Sequence, residues 1–430
     1  MKILGIETSC DETAVCLIEA DGAFDAGFQC KVLGNALHSQ IAVHAPYGGV
    51  FPNLAKREHV KNLVPLLQQV FEQSSTPRGS TAGVGVSPRG LTSWDPFVLK
   101  QILEREPELF GQLDVFLKTH GKPGIDAIAV THGPGLEPAL WVGVNFAKAL
   151  SLAWDIPIVP VNHLEGHIAM AAIKIEKSYS SVLQNTRIRG RLQVLEFPLI
   201  ALLISGGHTE LDLVKDWPHF ETIGETRDDA VGEAFDKVAR MIGLPYPGGP
   251  HVSALAARAR TNAERTQNDA ERIPRESASG PHSSALSLPR PMIHEDNFDF
   301  SFSGLKTAVL RLVKDKTLTE VEKMGLSREF EDAAADVLVA KTVRAVEEYG
   351  AQTVLVGGGV SANTHIKSEL KVALDEIGIA LLYPPHGFET DNALMIALAG
   401  YFRALNKEFV DPDTLRANGN LRLGTTGANA

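Results

Sequence analysis

Cysteine is scarce in this chain of 430 residues, which contains only Cys10, Cys16 and Cys30. An odd number of cysteines without a CxxC pair does not indicate a disulfide framework, and it favours a reducing compartment. The sequence also lacks an apolar run of membrane-spanning length, and Met1 and Lys2 lead directly into a strand-like segment rather than a signal peptide. We therefore expect a cytoplasmic protein that does not associate with a membrane.

Basic residues are in deficit as well. The chain has 41 lysines and arginines against 52 acidic residues, for a net charge of −11. A protein of this charge does not bind nucleic acid nonspecifically, so an RNA substrate would require a local basic patch or a partner. The hydrophobic fraction of 44% and the charged fraction of 22% are typical of globular proteins, and the length favours two lobes.

The apolar pattern predicts that each half of the chain begins with a strand, a turn and a strand, at 3–19 and at 197–214. Strands then alternate with helices, which indicates an α/β fold with parallel strands. The two similar beginnings suggest a duplication. Helices are predicted at 53–73, 99–117, 138–154, 163–175, 226–242, 303–315, 328–349, 361–374 and 390–405.

Two histidines lie four residues apart in VNHLEGHIAM. On a helix, His163 and His167 would share one face and could ligate one metal ion, although exposed imidazoles at a helix start explain the spacing equally well. The HExxH motif of zinc proteases is absent, because Glu165 stands two residues after the first histidine and points elsewhere. A third ligand is available in Asp391, which otherwise reads as a helix cap.

Two glycine-rich turns are candidate anion sites. In LISGGHTE (203–210) a strand ends in two glycines whose backbone N–H groups could approach an anion, or form an ordinary hairpin turn. In LVGGGVSAN (355–363) a strand enters a helix start that suits a phosphate or ribose, and Asn363 could hydrogen-bond a nucleoside. A tight turn capped by Ser361 is the alternative. Because GxGxxG is absent, a dinucleotide fold is not indicated.

Acidic residues mark two further positions. Asp236 lies in a predicted helix before a turn at Gly248 and Gly249, where it could bind ribose hydroxyls or be a solvated side chain. The turn ETSCDET (7–13) carries Glu7, Asp11 and Glu12 between two strands. Such a group can orient a magnesium-bound phosphate or a nucleophile, and a charged turn explains it equally well.

Taken together, nine blocks in chain order resemble the tRNA threonylcarbamoyladenosine transferases, the bacterial TsaD group. The blocks are GIETSCDET, YGGVFPNLAKREHV, THGPGL, VNHLEGH, LLISGGHTEL, GEAFDKVARMIGLPYPGGP, FDFSFSGLKTAV, GGGVSAN and TDNALMIA. The resemblance implies the duplicated two-lobe fold of the actin-like ATPases, which includes the sugar kinases and Hsp70, with a nucleotide cleft between the lobes.

The resemblance also implies an activity: transfer of threonylcarbamoyl from threonylcarbamoyl-AMP to N6 of the adenosine just after the anticodon, in tRNAs reading codons that begin with A. It implies one metal ion, Fe²⁺ or Zn²⁺, held by His163, His167 and Asp391. ATP or ADP with Mg²⁺ could occupy the same cleft. The implied catalytic residues are Asp11 and Glu12, and the implied substrate-binding residues are Leu203, Ile204, Ser205, Gly206, Gly207, Asp236, Gly249 and Asn363.

The family further implies partners besides tRNA: an inactive paralogue (TsaB), a P-loop ATPase (TsaE) and a separate synthase of threonylcarbamoyl-AMP. Compared with compact members, this chain has apparent insertions at about 74–122, 171–195 and 258–290. The expected domains are an N-terminal lobe over 1–160, a C-terminal lobe over 161–405 and a tail over 406–430.

Three rival functions remain open from the residues. A metalloprotease (O-sialoglycoprotein endopeptidase) is disfavoured by the position of Glu165. A small-molecule kinase of the same fold would need a sugar-specific signature, which we do not find. A non-catalytic scaffold like the paralogue should lack the histidine pair.

Overall fold

The computed structural model describes residues 1–24, 27–75, 95–178, 187–272 and 286–424. In chain order, the strands are β1 Lys2–Glu7, β2 Glu12–Asp21, β3 Gln29–Ser39, β4 Ala127–Gly133, β5 Ile158–Asn162, β6 Ile173–Ser178, β7 Arg187–Leu192, β8 Leu199–Ile204, β9 Thr209–Asp216, β10 His219–Glu225, β11 Thr353–Gly357 and β12 Ala380–Leu382. The helices are α1 Ile41–His44, α2 Pro52–Ser75, α3 Pro96–Ile102, α4 Pro107–Thr119, α5 Glu137–Trp154, α6 His163–Ala171, α7 Val231–Met241, α8 Gly248–Arg272, α9 Ser303–Val313, α10 Glu320–Tyr349, α11 Thr364–Glu376 and α12 Ala393–Leu405. None of the helices in the described part of the chain combines the length and apolar character that a bilayer span requires.

The chain divides into two compact units. Unit 1 comprises Met1–Leu195, Asp216–Glu221 and Leu382–Ala430, and unit 2 comprises Glu196–Lys215 and Thr222–Leu381. This division differs from the expected boundary after residue 160, which falls inside β5. The segment expected to be a C-terminal tail also belongs to unit 1: Leu415 and Leu421 are buried, and the N–H of Asn418 donates to the carbonyl of His132 (2.8 Å).

Unit 1 contains a seven-stranded sheet in the order β5-β4-β1-β2-β3-β7-β6. β1 pairs antiparallel with β2 and parallel with β4, and β4 is parallel to β5. Both faces are buried, so successive side chains of β1 enter two cores: Leu4 and Ile6 join one core with α2, α4 and α5, while Ile3 joins another with α12. Since β1, β4 and β5 are parallel neighbours, their carboxyl ends meet at one edge of the sheet.

Unit 2 repeats this topology. Its five-stranded sheet has the order β10-β9-β8-β11-β12, which corresponds strand for strand to β3-β2-β1-β4-β5 of unit 1. β8 is antiparallel to β9 and parallel to β11, as β1 is to β2 and β4. Phe235 of α7 and Phe330 of α10 pack edge to face in its core, with ring centroids 4.9 Å apart. The repeated strand order confirms the predicted α/β fold with an internal duplication.

Two predicted helices differ from the structure in kind or continuity, and the starts of two others are displaced: α7 begins at Val231 and α10 at Glu320. The helix predicted at 163–175 ends at Ala171, because Ile173 and Ile175 alternate with polar residues in a strand period and form β6. The helix predicted at 99–117 is divided into α3 and α4. Pro107 occupies the first turn of α4, where its missing N–H costs nothing, and it disfavours helical backbone at the residue before it.

The apparent insertions are only partly described. The segment expected as a loop from residue 258 is helical in α8 as far as Arg272. Residues 171–178 and 187–195 contribute β6 and β7, which extend the sheet of unit 1. Parts of the predicted loops, at 76–94, 179–186 and 273–285, and the tail residues 425–430 lie outside the described residues.

Helix α12 lies unusually close to the sheet of unit 1 because glycines face it. A Cβ at Gly5 would lie 2.4 Å from the carbonyl oxygen of Ala393, in the first turn of α12. A Cβ at Gly400 would lie 2.3 Å from the Cβ of Ala129 on β4. Neither distance is possible for a real side chain, so any larger residue at Gly5 must displace the start of α12.

We predict that Gly5→Ala destabilises the protein by about 1–3 kcal/mol, because the added methyl group meets backbone that cannot move aside. Urea unfolding followed by circular dichroism measures the effect. The matched control is Gly111→Ala on α4, where a Cβ meets open space; alanine there should stabilise the helix by about 0.5–1 kcal/mol. Equal stability of the two variants would contradict the close approach of α12.

Candidate metal centre

The two histidines of the sequence motif lie at the start of a buried helix. Asn162, the last residue of β5, caps α6 by accepting a hydrogen bond from the N–H of Leu164 (2.9 Å). The cap places His163 in the first turn and His167 one turn later on the same face. Their rings are nearly perpendicular, with centroids 4.8 Å apart, and both residues are buried.

Asp391 joins the pair from the segment before α12. Its Oδ1 lies 3.3 Å from Nε2 of His163 and 3.1 Å from Nε2 of His167. One potential ligand atom from each of the three residues lies within 4.8 Å of the other two. The Asp391 side chain is 19% exposed, whereas the two histidines are 8% and 1% exposed, so the site opens to solvent on the aspartate side.

The buried ring of His167 is not satisfied by the protein. Neither of its nitrogens has a hydrogen bond within the described residues, although Nε2 lies 3.1 Å from Asp391 Oδ1. A short contact without hydrogen-bond geometry is expected where two atoms point at a common ion. Buried polar atoms are rarely left unpaired, so the unpaired Nε2 of His167 indicates that a ligand binds at this site.

Glu7 supports the site from the end of β1. Its Oε2 lies 3.2 Å from Nδ1 of His163, on the side of the ring opposite Asp391. The same carboxylate accepts hydrogen bonds from the hydroxyl of Thr131 and the N–H of Ser9, both at 2.5 Å. A carboxylate on the outer nitrogen of a metal-ligating histidine fixes the tautomer and the ring orientation.

The electrostatics favour positive charge at this position. Burial disfavours ionisation of Asp391, but the neighbouring His163 and His167 outweigh it and hold the pKa of Asp391 below its ordinary value. Burial would lower the pKa of His163, yet Asp391 and Glu7 raise it well above the ordinary value. Two carboxylates around one imidazole therefore attract a cation, whether the imidazolium or a metal ion.

The donor set fits a first-row transition metal. Two imidazoles and a carboxylate suit Zn²⁺ or Fe²⁺, whereas Mg²⁺ and Ca²⁺ prefer oxygen ligands. Three protein ligands would leave coordination positions open. His163, His167 and Asp391 could therefore hold one metal ion.

Glu165 is committed to another interaction. Its Oε2 accepts a hydrogen bond from Nε of Arg403 on α12 at 2.6 Å, and the glutamate is fully buried. Arg403 also binds Glu408 (2.8 Å). As the sequence predicted, Glu165 is directed away from the histidine pair, and it ties α6 to α12.

The predicted catalytic residues follow Glu7 in the chain: Asp11 ends the turn between β1 and β2, and Glu12 is the first residue of β2. Asp11 and Glu12 are each 9% exposed. Burial, followed by the charges of Asp11 and Asp391, raises the pKa of Glu12 to about 10. This shift favours the neutral acid form of Glu12, which can donate a hydrogen bond. Of these two predicted residues, Asp11 remains the candidate proton acceptor.

The predicted substrate-binding residues lie in unit 2. Leu203 and Ile204 end β8 with buried side chains, so they support the turn that follows. In that turn Ser205 Oγ accepts hydrogen bonds from the N–H groups of Gly207 (3.2 Å) and His208 (3.0 Å). Gly206 and Gly207 are exposed, and a Cβ on either would meet open space, which leaves room for a ligand to approach their backbone.

Two other segments of unit 2 meet this turn. The N–H of Gly232, at the start of α7, donates to the carbonyl of Ser205 (3.2 Å). Gly358, just after β11, has a φ of +86°, and a Cβ there would lie 2.5 Å from the carbonyl oxygen of Ile204. The two glycine-rich motifs of the sequence therefore come together at the carboxyl ends of parallel strands, as expected for an anion site.

Asp236 and Gly249 form a second group. Oδ1 of Asp236 accepts the N–H of Gly248 at 2.6 Å. The turn predicted at Gly248 and Gly249 is wrong, because both residues begin α8. The Asp236 carboxylate supplies an acceptor for one of the free N–H groups at this helix start, which lets the helix begin at two glycines.

Asn363 uses its side chain within unit 2. Its oxygen caps α11 through the N–H groups of His365 and Ile366, at 3.0 and 2.9 Å. Its amide donates to Ser253 Oγ (2.9 Å) and to Glu331 Oε1 (2.7 Å). The amide hydrogens are both engaged, so Asn363 could bind a nucleoside only by exchanging one of these bonds.

The structure thus brings the three predicted metal ligands together and places Asp11 and Glu12 in the same unit, while the predicted substrate-binding residues belong to the other unit. The roles of Thr131, and of Glu7 as the partner of His163, were not predicted. Glu7 and Thr131 lie near the carboxyl ends of the neighbouring parallel strands β1 and β4, and His163 follows β5 at the same edge of the sheet. This shared edge could have indicated their contact with the histidine.

The chain is similar to one family of known proteins over most of its length. The family model described as "TsaD: tRNA N6-adenosine threonylcarbamoyltransferase" matches residues 31–87 and 118–398. A protein of that name from Burkholderia ambifaria is 40% identical over 410 residues, covering 94% of this chain and 92% of its own. One from Paraburkholderia xenovorans is 38% identical with the same coverage.

Among solved structures, full-length HypF in a phosphate- and nucleotide-bound form is 13% identical, with a TM-score of 0.45, over 94% of this chain and 46% of its own. The family model and the curated relatives both cover most of the sequence, and they show that the chain belongs to the tRNA N6-adenosine threonylcarbamoyltransferase (TsaD) family.

Proposed function

We propose that this chain transfers threonylcarbamoyl from threonylcarbamoyl-AMP to N6 of the adenosine just after the anticodon, in tRNAs that read codons beginning with A. The observation that carries the proposal is the convergence of His163, His167 and Asp391 in a chain of this family. The alternative of a protease is disfavoured, because Glu165 is bound to Arg403 and is not available as a base. We have no observation that favours a small-molecule kinase.

The reaction is an acyl transfer from a mixed anhydride. A bond forms between N6 and the carbamoyl carbon, the bond from that carbon to the phosphate oxygen breaks, AMP leaves and N6 loses one proton to a base. An exocyclic adenine amine is a weak nucleophile, so positioning and charge stabilisation must supply most of the rate acceleration.

His163, His167 and Asp391 would hold the metal, which we propose to be Fe²⁺ or Zn²⁺. When bound there, such an ion supplies Lewis acidity and a template for oxygen ligands. Glu7 would orient His163 by accepting a hydrogen bond from its Nδ1–H. Asp391, the most exposed of the three ligands, faces the side from which a substrate could arrive.

The other predicted residues have roles that fit their surroundings. Asp11 would accept the N6 proton or orient the N6 group. Glu12, whose pKa is raised, would donate a hydrogen bond to Asp11 or to the substrate. In unit 2, the exposed backbone of Gly206 and Gly207 would bind the phosphate of the adenylate, or of ATP or ADP with Mg²⁺. Leu203, Ile204 and Ser205 shape that turn, and Asp236, Gly249 and Asn363 would adjoin the nucleoside.

Other proteins would help this chain to bind tRNA and would supply its second substrate. With a net charge of −11, the chain needs help to hold a polyanion, and we propose a TsaB-like paralogue and a TsaE-like ATPase as that help. A separate synthase would supply threonylcarbamoyl-AMP. Since tRNA is the acceptor, we propose that the reaction takes place in the cytoplasm.

We predict that Asp391→Asn lowers transfer activity by about 100-fold or more, because the amide keeps the size of the side chain but removes the charge that helps to bind the ion. Mass spectrometry of tRNA nucleosides measures transfer, and plasma mass spectrometry measures bound metal. The control is Asp216→Asn, an exposed aspartate that also contacts a histidine, His219. Full activity and full metal content of Asp391→Asn would contradict the metal role.

Glu7→Gln should weaken metal binding by about 10- to 100-fold, because a neutral amide no longer stabilises His163 as a ligand. Competition with a chelator of known affinity gives the dissociation constant. Glu19→Gln, an exposed position on β2 of the same sheet, is the control. An unchanged dissociation constant for Glu7→Gln would show that the contact to His163 is structural only.

A further inference from the structure

Two large aromatic side chains are exposed on the loop between α1 and α2. Tyr47 is 61% exposed and Phe51 is 56% exposed. Their ring centroids lie 5.4 Å apart, with the ring planes inclined by 46°. Neighbouring exposed aromatic rings leave apolar surface in water, which commonly marks an interaction site.

The loop that carries these rings is anchored by a buried chain of hydrogen bonds. The N–H of Phe51 meets His44 Nδ1 (3.3 Å), and His44 Nε2 meets Gln40 Oε1 (3.1 Å). Nε2 of Gln40 meets His59 Nδ1 (3.3 Å), and His59 Nε2 meets the carbonyl of Cys10 (3.0 Å). Gln40, His44 and His59 are all fully buried.

The two end groups of this hydrogen-bond network fix which atom donates and which accepts along it. A backbone N–H can only donate and a carbonyl can only accept, so His44 accepts from Phe51 and His59 donates to Cys10. His44 must then be neutral, with its proton on Nε2. Nδ1 of His59 faces the NH2 group of Gln40 and lies 2.8 Å from the Thr13 hydroxyl, so a neutral His59 can accept at Nδ1 and donate from Nε2. Burial lowers the pKa of His44, and it lowers the pKa of His59 to about 4, which agrees with this assignment. Each link has a donor and an acceptor, so the network can hold the loop in one position.

The network ends beside the predicted catalytic turn. Cys10 precedes Asp11, and the carbonyl of Asp11 itself accepts the N–H of Gln40 at 2.9 Å. The position of Phe51 is therefore coupled to the turn that contains Asp11 and leads into Glu12. Since all these residues belong to unit 1, the aromatic pair is placed relative to that turn within a single compact body.

Basic and polar side chains continue from the aromatic pair along α2. Asn53, Arg57 and Lys61 are exposed at four-residue spacing, and they therefore share one face of the helix. Lys61 is bound to Glu58 at the surface (2.6 Å), an interaction that contributes little and exchanges easily. In an acidic chain, this face offers local positive charge next to two aromatic rings.

We propose that Tyr47 and Phe51 form a stacking surface for an unpaired nucleotide of the RNA substrate, with Arg57 and Lys61 contacting its phosphates. Aromatic rings stack on splayed bases of single-stranded loops, and nearby basic groups hold the backbone. The network from Phe51 to Cys10 fixes the stacked nucleotide relative to the acidic turn. The identity of the RNA rests on the proposed function, whereas the stacking surface rests on the residues above.

The experiment measures binding of a labelled anticodon stem-loop RNA to the full chain, together with its proposed partner proteins, by fluorescence anisotropy at fixed salt. In the double variant Tyr47→Ala and Phe51→Ala, the dissociation constant should rise about 10- to 100-fold. Tyr47→Leu with Phe51→Leu should bind as poorly, since leucine has no aromatic face. Tyr47→Phe with Phe51→Tyr should bind within about twofold of the unmutated protein, because both rings are kept.

Steady-state kinetics with the partner proteins separate stacking from chemistry. The alanine variant should raise KM for tRNA and leave both KM for threonylcarbamoyl-AMP and kcat at saturating tRNA unchanged. The control is Phe97→Leu, which removes another exposed aromatic ring of unit 1 (64% exposed) and should change neither binding nor kinetics.

Three results would overturn the stacking surface. The first is an RNA affinity that is unchanged in the alanine variant, and the second is binding that leucine restores. The third is loss of association of the alanine variant with the TsaB-like paralogue at constant RNA affinity, which would make the surface a protein contact. Failure of the proposed function is a different result: the unmutated protein would bind the stem-loop through these rings yet transfer no threonylcarbamoyl group.

Discussion

The close contact between α12 and β1 at Gly5 is the constraint on which the metal centre depends. Asp391 stands two residues before α12, so the position of that helix decides where its carboxylate lies. Without a side chain at residue 5, the first turn of α12 can rest directly on the strand that ends in Glu7. His163 follows β5 at the same edge of the sheet. Glu7 and Asp391, from two distant segments of the chain, therefore both contact the imidazole ring of His163.

Charge and hydrogen bonding then hold this arrangement. Glu7 and Asp391 lie on opposite nitrogens of His163, and each carboxylate stabilises a positive charge between them. On the other side of α6, the buried pair of Glu165 and Arg403 joins the helix to the far end of α12. Removing one member of a buried pair typically costs about 3–5 kcal/mol, so this contact holds the two helices in register. The ligand-bearing segments are therefore fixed by packing as well as by any bound ion.

Local patterns in the sequence predicted a large part of this account. The spacing of His163 and His167 indicated a shared helix face, and the hairpin beginning each half indicated the duplication, because both depend on short-range periodicity. Asp391 was available as a third ligand from its place at a helix start, and the family resemblance assigned it to the same ion as the histidines. Glu7 was seen only as part of an acidic turn, since its contact with His163 joins residues 156 positions apart. Asn363 is fully hydrogen-bonded within unit 2 and Gly249 begins a helix, and neither fact is visible without tertiary structure.

The central claim is that one metal ion is bound by His163, His167 and Asp391. Anomalous X-ray diffraction from crystals of the purified chain, recorded at the iron and zinc absorption edges, tests it most directly. We expect one strong peak at about 2.0–2.2 Å from the Nε2 atom of each histidine and from a carboxylate oxygen of Asp391. In crystals grown with either metal, the lack of a peak at these three side chains, or a peak held by other residues, would contradict it.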